Sequence, residues 1–126
     1  MVVQVRSREA ASGLNENVVL RKALQRAGEE LGLTARETAQ AIGKSRTFFE
    51  QGRAQSRIDQ HTRQMIALVL RLHRSLSALV GDDTALMRHW MGTPNRHTGG
   101  VPRHQLQDPQ QLVELLQYLD AMRGQP

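Results

Sequence analysis

Residues 34–52 read TARETAQAIGKSRTFFEQG, and this stretch predicts two short helices joined by a tight turn. Thr34 and Glu37 have the spacing of a capping box, in which each residue's side chain accepts a hydrogen bond from the other's backbone amide. The first helix is expected to end near Gly43, because glycine tolerates the positive φ that a tight turn requires. The stretch therefore predicts a helical hairpin.

The second short helix follows directly. Ser45 is a favourable N-cap, and we expect the helix to run to about Gln51. Ala39 is small enough for the two helices to cross closely, and Phe49 is expected to pack inward against Ile42. This order of small residue, glycine and aromatic residue resembles the helix-turn-helix of the Xre, or phage-repressor-like, regulators, and the resemblance implies DNA binding.

An outward-facing surface of the second helix would then meet double-stranded DNA. Arg46 is expected to read a base edge, because arginine is the commonest partner of guanine in the major groove. Gly52 stands where the motif usually has an apolar residue, so the helix is either short or packs through Phe48 instead. A helical hairpin with a solvated basic face is the alternative to DNA binding. The residues predicted to contact DNA, with the flanking cations assigned to phosphates, are Lys44, Ser45, Arg46, Thr47, Gln51, Arg53 and Arg57.

Apolar residues at three- and four-residue spacing predict the other helices, and no segment shows the alternation typical of a strand. We therefore predict an all-α fold, an Xre-like helix-turn-helix bundle with a small C-terminal helical domain. Residues 92–102 are expected to be an irregular loop, and Trp90 is expected to anchor the core. The further helices are expected to begin at Asn17, at Ile58 or Asp59, at Asp82 or Asp83, and at Asp108, with Pro109 as the first helical residue.

The predicted organisation has three parts: a flexible N-terminus (1–14), a helix-turn-helix domain (15–80) and a C-terminal interaction domain (81–126). Residues 1–80 hold 13 Lys/Arg and 7 Asp/Glu, a net +6, whereas residues 81–126 hold 4 and 5, a net −1. A basic first part suits a polyanionic partner, and a near-neutral second part suits a protein partner. A solvated basic surface is the alternative explanation of the charge.

The composition argues against several other classes of protein. The chain of 126 residues has no cysteine, which excludes disulfides and thiolate metal sites and fits a cytoplasmic location. No apolar run approaches the roughly 18 residues of a membrane span, so we expect no membrane partner. His61 and His73 lie too far apart on one helix to share an ion, and no nucleophile or phosphate-loop motif is present. We therefore predict no enzymatic activity, no cofactor and no metal.

The C-terminal part carries a second resemblance. The elements concerned are Trp90 at a helix end, Thr93-Pro94-Asn95, Gly100, Pro102, Leu106, an amphipathic helix and Gly124. This order resembles the toxin-binding domain of the MbcA/ParS/Xre antitoxin family, in which an Xre-like helix-turn-helix precedes that domain; together the resemblance covers about residues 15–126. Two positions depart from the pattern: Arg103-His104 replace an apolar pair, and Asp108-Pro109 replace a glycine.

The resemblance implies that the protein forms a homodimer and represses promoters. Many members also neutralise a RES-type toxin that consumes NAD, with the antitoxin's C-terminal end in the toxin's active site, and BswR-like members are transcriptional regulators. Our first hypothesis is a sequence-specific, DNA-binding transcriptional regulator of the Xre type. The alternative is an antitoxin that neutralises a RES-type toxin through the C-terminal domain and represses its own operon. A protein-interaction module without a DNA role is the third hypothesis.

Overall fold

The computed structural model describes residues 2–50 and 56–124, with side chains from residue 16 onward. These residues form an all-α fold, as predicted, and their only extended pairing is one isolated antiparallel bridge between Asn95 and Gly100. None of the described helices is both long enough and apolar enough to cross a membrane. In chain order, the helices are α1 (Val2–Glu30), α2 (Ala35–Ala41), a 3-10 turn (Arg46–Phe49), α3 (Gln60–Val80), α4 (Thr84–Gly92), α5 (Pro102–Gln105) and α6 (Pro109–Met122).

The helix starts follow from local side-chain caps. The capping box is confirmed: Thr34 Oγ1 accepts from the Glu37 amide at 3.0 Å, and Glu37 Oε1 accepts from the Thr34 amide at 2.9 Å. Asp59, Asp83 and Asp108 each accept a backbone amide in the first turns of α3, α4 and α6. A capping carboxylate satisfies an amide that has no partner within its own helix, which explains why these starts were predictable.

Three details differ from the sequence predictions. Helix α1 begins at Val2 rather than Asn17, because residues 2–16 contain no proline and are rich in good helix formers. Pro102–Gln105 form one helical turn inside the loop predicted to be irregular, with the proline at the first helical position. The spacing of Met122 after Leu112, Leu115, Leu116 and Leu119 predicts that it is buried with them, but it is 57% exposed, because it lies in the last turn of α6, beyond the last buried leucine of that helix. The division into residues 1–14, 15–80 and 81–126 stays a prediction.

One continuous apolar core joins the N-terminal and C-terminal helices. Helix α3 packs against α1, α4 and α6, and burial of each large side chain contributes about 1.5–3 kcal/mol. Because this core is shared, the predicted helix-turn-helix and the C-terminal helices pack together through it. The large side chains that are fully buried are Leu24, Leu31, Ile42, Ile66, Leu72, Leu76, Met87, Met91, Leu106, Leu112, Leu115 and Leu119.

A close approach between α1 and α2 places the predicted helix-turn-helix against the bundle. A Cβ built on Gly28 would lie 2.2 Å from Thr38 Oγ1 and 2.8 Å from Thr38 Cγ2. Thr38 is buried and its hydroxyl donates to the Thr34 carbonyl at 2.9 Å, so it has little freedom to move. Only glycine at position 28 allows this contact.

Candidate functional site

The second helix of the predicted helix-turn-helix is a single 3-10 turn, Arg46–Phe49. The prediction of a helix to about Gln51 is wrong, because Glu50 is already extended with φ −66° and ψ 148°. Ser45 occupies the N-cap position, but its hydroxyl pairs with the Thr47 hydroxyl at 2.7 Å and caps no backbone amide. Serine and threonine side chains that bond locally compete in this way with helix formation.

Phe48 is the more deeply buried of the two aromatic residues in this turn. Phe48 is 9% exposed and belongs to the core, whereas Phe49 is half-buried and packs against the edge of the core. The two rings meet edge to face, with centroids 5.3 Å apart. The alternative in which the turn packs through Phe48 is thus confirmed, and Phe49 packs against the core only in part.

Arg21 of α1 contacts Phe48 directly, and it was not among the residues predicted from the sequence. Its guanidinium lies 4.4 Å from the centre of the Phe48 ring, and its Nε donates to the Phe48 carbonyl at 3.2 Å. Its Nη1 donates to the Ser56 carbonyl at 2.8 Å, so one buried side chain fixes both ends of the segment between those residues. The sequence spacing could have indicated that Arg21 is buried, because it lies three residues before the buried Leu24 and therefore on the same face of α1.

Most of the predicted DNA-binding residues that the structure describes are brought together at one cavity. This cavity has a volume of about 180 Å³. Lys44, Ser45, Thr47 and Arg57 line it. Arg46 is exposed but does not line it. Gln51 and Arg53 lie outside the described residues. The other lining residues are Arg21, Phe48, Ser56, Ile58, Asp59 and Thr62.

The electrostatics of this basic pocket favour an anion. Among the described lining residues, Lys44 and Arg57 are exposed cations, and Asp59 is the one carboxylate. A hydrogen bond from the Thr62 amide, with a weaker contribution from Lys44, holds the pKa of Asp59 below its usual range. Lys44 Nζ lies 3.8 Å from Asp59 Oδ2, at the long end for an ion pair. The pocket therefore retains an excess of positive charge that can hold a phosphate group.

The C-terminal part is organised around a turn between α4 and α5. Asn95 Oδ1 accepts from the amides of His97 and Thr98 at 2.9 and 3.3 Å, and the Asn95 amide donates to the Gly100 carbonyl at 2.8 Å. The turn leads directly into α5, whose first residue, Pro102, is buried. Trp90 is half-buried against the core, as expected for an anchor.

Arg103 of α5 connects this part to α2. Its Nη2 donates to Glu37 Oε1 at 2.7 Å and to the Gly32 carbonyl at 3.0 Å, and its Nε donates to Glu37 Oε2 at 3.3 Å. Gln107 Nε2 donates to the Glu37 carbonyl at 2.9 Å. Burial alone would raise the pKa of Glu37, but hydrogen bonds from Arg103 and Thr34 outweigh it and lower the pKa. Arg103, which departs from the family pattern, thus forms an ion pair with Glu37 that connects α5 to α2.

Exposed apolar side chains concentrate in the same part of the chain. Of the five large apolar side chains that the described residues leave exposed, four lie within residues 75–124. These four are Leu79, Leu86, Val113 and Met122, and the fifth is Val19 of α1.

Comparison with known families identifies the C-terminal region. Residues 75–124 match the family model of the antitoxin Xre/MbcA/ParS C-terminal toxin-binding domain. This part of the chain is therefore similar to that domain family, as the resemblance predicted. The match begins in the last turns of α3 and includes α4, α5 and α6, so the basic pocket lies outside it. A search of curated proteins found no match to the chain.

Proposed function

We propose that this protein is an antitoxin whose residues 75–124 bind and neutralise a partner toxin protein. The observation that carries the proposal is the match of those residues to a toxin-binding domain family. As the family resemblance implies, we further propose that the toxin is of the RES type and consumes NAD. The near-neutral charge of residues 81–126 suits a protein partner better than a nucleic acid.

The exposed apolar residues support a protein-binding role for this domain. Single exposed apolar residues are common on protein surfaces, so their distribution carries more information than their presence. Leu86, Val113 and Met122 lie on two helices of the matched domain, and an interface core is usually more apolar than the surface around it. We propose that these residues contribute to the toxin interface.

Co-expression tests the proposal. The product of the gene beside this protein's own would be expressed alone and together with this protein, while growth and cellular NAD are followed. We expect toxicity and NAD loss from the neighbour alone and rescue by the wild-type chain. Met122→Lys should impair the rescue, because burying a methionine side chain contributes about 1.5–3 kcal/mol, or roughly 10- to 100-fold in affinity.

Val19→Lys is the matched control. It places the same charge on an exposed apolar position of α1, outside the matched domain, and should rescue growth like the wild type. Rescue that is equal for both variants would argue against the proposed interface. A neighbouring product that depletes NAD equally with and without this chain would argue against the antitoxin function.

We propose a second function, binding of double-stranded DNA by a homodimer through the basic pocket and Arg46. Lys44, Arg46 and Arg57 are all exposed. They lie within residues 1–80, which carry the excess positive charge of the chain. A single 3-10 turn is short for reading bases in the major groove, so we expect phosphate contacts to dominate the affinity. Such binding would allow the antitoxin to repress its own promoter.

Salt dependence tests this second function. Lys44→Gln and Arg57→Gln should each lower the slope of log affinity against log salt by about 1, and Arg46→Ala should reduce discrimination between sequences. Arg74→Gln, an exposed change on α3, is the control and should bind like the wild type. Light scattering should show a dimer. Slopes that these substitutions leave unchanged would argue against the pocket as the DNA site.

A further inference from the structure

A small pocket lies on the matched domain, between the turn after α4 and the outer side of α6. Its volume is about 110 Å³, and neither function proposed above uses it. Every residue that lines it lies within residues 75–124. Those residues are His97, Thr98, Gln105, Gln111, Glu114, Leu115 and Tyr118.

Gln105, which lines this pocket, has a buried side-chain acceptor without a partner among the described residues. Its Nε2 donates to the Thr98 carbonyl at 2.7 Å, which fixes the orientation of the amide, because a flip would place two oxygens together. Its Oε1 is buried and accepts no hydrogen bond from the described residues. A Cβ at Gly100 would lie 3.0 Å from Nε2, so glycine at this position leaves the amide the space that it occupies. An unpaired buried acceptor is unfavourable, so a donor that reaches it is favoured.

The pocket also combines a flat aromatic wall with a carboxylate. The rings of His97 and Tyr118 stack with centroids 5.9 Å apart and an interplanar angle of 16°. Glu114 is exposed and supplies the negative charge of a lining that contains no lysine or arginine among the described residues. Aromatic faces and carboxylates are the two surfaces against which a guanidinium packs best, because it is planar and donates in a fixed fork.

We propose that this pocket binds a guanidinium group, and specifically an arginine side chain of the toxin that residues 75–124 bind. The identity of the donor protein rests on the antitoxin function proposed above, whereas the chemistry of the pocket does not. The size is suitable, because 110 Å³ equals the space of about three to four water molecules at about 30 Å³ each, and a guanidinium has four heavy atoms. Glu114 pairs with its charge and Tyr118 stacks on its plane.

Nuclear magnetic resonance with a small probe tests the pocket without the toxin. The isotope-labelled full chain would be titrated with N-acetyl-arginine amide and, separately, with the neutral isostere N-acetyl-citrulline amide. We expect saturable shifts for the arginine probe at Thr98, Glu114, Tyr118 and the Gln105 side-chain amide, with a dissociation constant of about 1–10 mM for so small a ligand. The citrulline probe should bind at least about threefold more weakly, because it lacks the charge.

Three variants make the test specific. Glu114→Gln should weaken arginine binding about two- to fivefold, the range of an exposed ion pair, and Tyr118→Leu should weaken it by a similar factor. Asp82→Asn removes the same charge from an exposed position elsewhere in the domain and should leave binding unchanged. Equal shifts with both probes, equal effects of Glu114→Gln and Asp82→Asn, or shifts centred outside the pocket would each overturn the proposal. Because no toxin is present, a negative result here leaves the antitoxin function standing.

Discussion

Replacing Arg103 by methionine tests how strongly the C-terminal part is held against α2. Methionine keeps much of the apolar stem but removes the guanidinium and its donors. Three hydrogen bonds are lost, two to the Glu37 carboxylate at 2.7 and 3.3 Å and one to the Gly32 carbonyl at 3.0 Å. Glu37 would keep its cap on Thr34 but lose its cation.

The size of the effect follows from the partial burial of the pair. The side chains of Arg103 and Glu37 are 33% and 24% exposed, so solvent screens the pair in part. Exposed pairs contribute about 0.2–1 kcal/mol, and hydrogen bonds to charged groups contribute about 1.5–3 kcal/mol. We therefore expect a loss of about 2 kcal/mol. For a chain of this size, each kcal/mol corresponds to about 3–5 °C, so the melting temperature should fall by about 6–10 °C.

Thermal unfolding followed by circular dichroism measures this difference. Arg74→Met is the matched control, since Arg74 is exposed and makes no hydrogen bond or ion pair with the described residues; it should change stability by less than about 0.5 kcal/mol. A double-mutant cycle with Glu37→Gln separates the pair from the cap, and we expect a coupling energy of about 1 kcal/mol. A melting temperature for Arg103→Met within 2 °C of the control, or strictly additive changes in the cycle, would refute the reasoning.

Two further predictions concern the same region. Gly28→Ala should destabilise the fold by about 1–3 kcal/mol in thermal unfolding, although alanine favours helices, because its Cβ would overlap Thr38; Thr38→Ala in that background should restore part of the loss, and no restoration would contradict the assigned clash. Because the pKa of Glu37 is lowered in the folded state, its carboxylate stabilises the fold above the unfolded pKa, and this contribution is lost as the pH falls through the lowered value. The difference in melting temperature between wild type and Glu37→Gln should thus be full at neutral pH and shrink below about pH 4.3; a difference that stays constant with pH would contradict this assignment.

The features that the sequence predicted well are local ones. The capping box of Thr34 and Glu37 and the Asp108-Pro109 start of α6 each depend on residues within three positions of one another. Interactions of this range can be identified from spacing alone, and most of the helix starts were predicted from them. The similarity of residues 75–124 to the toxin-binding domain family was also predictable, because the turn in this region depends on Asn95 and on glycine and proline at fixed positions.

The features that the sequence did not predict depend on distant partners. Arg21 bonds to a carbonyl 27 residues away and lies over the ring of the buried Phe48. Arg103 pairs with a carboxylate 66 residues away. In the sequence, Arg103 stands out only as a departure from the family pattern, which does not indicate its partner. The second helix was predicted too long because local bonding of Ser45 and Thr47 replaces helical capping. Four of the predicted site residues line the basic pocket, and their role in DNA binding stays a prediction; they are Lys44, Ser45, Thr47 and Arg57.

Hydrogen exchange of the chain alone and in complex with its co-expressed partner is the most direct test of the central claim. Residues 75–124 should gain protection in the complex, with the largest change around Leu86, Val113 and Met122. The basic pocket around Lys44 and Arg57 should exchange as in the free protein. Protection that falls on that pocket instead, with residues 75–124 unchanged, would contradict the assignment of the C-terminal region as the toxin-binding surface.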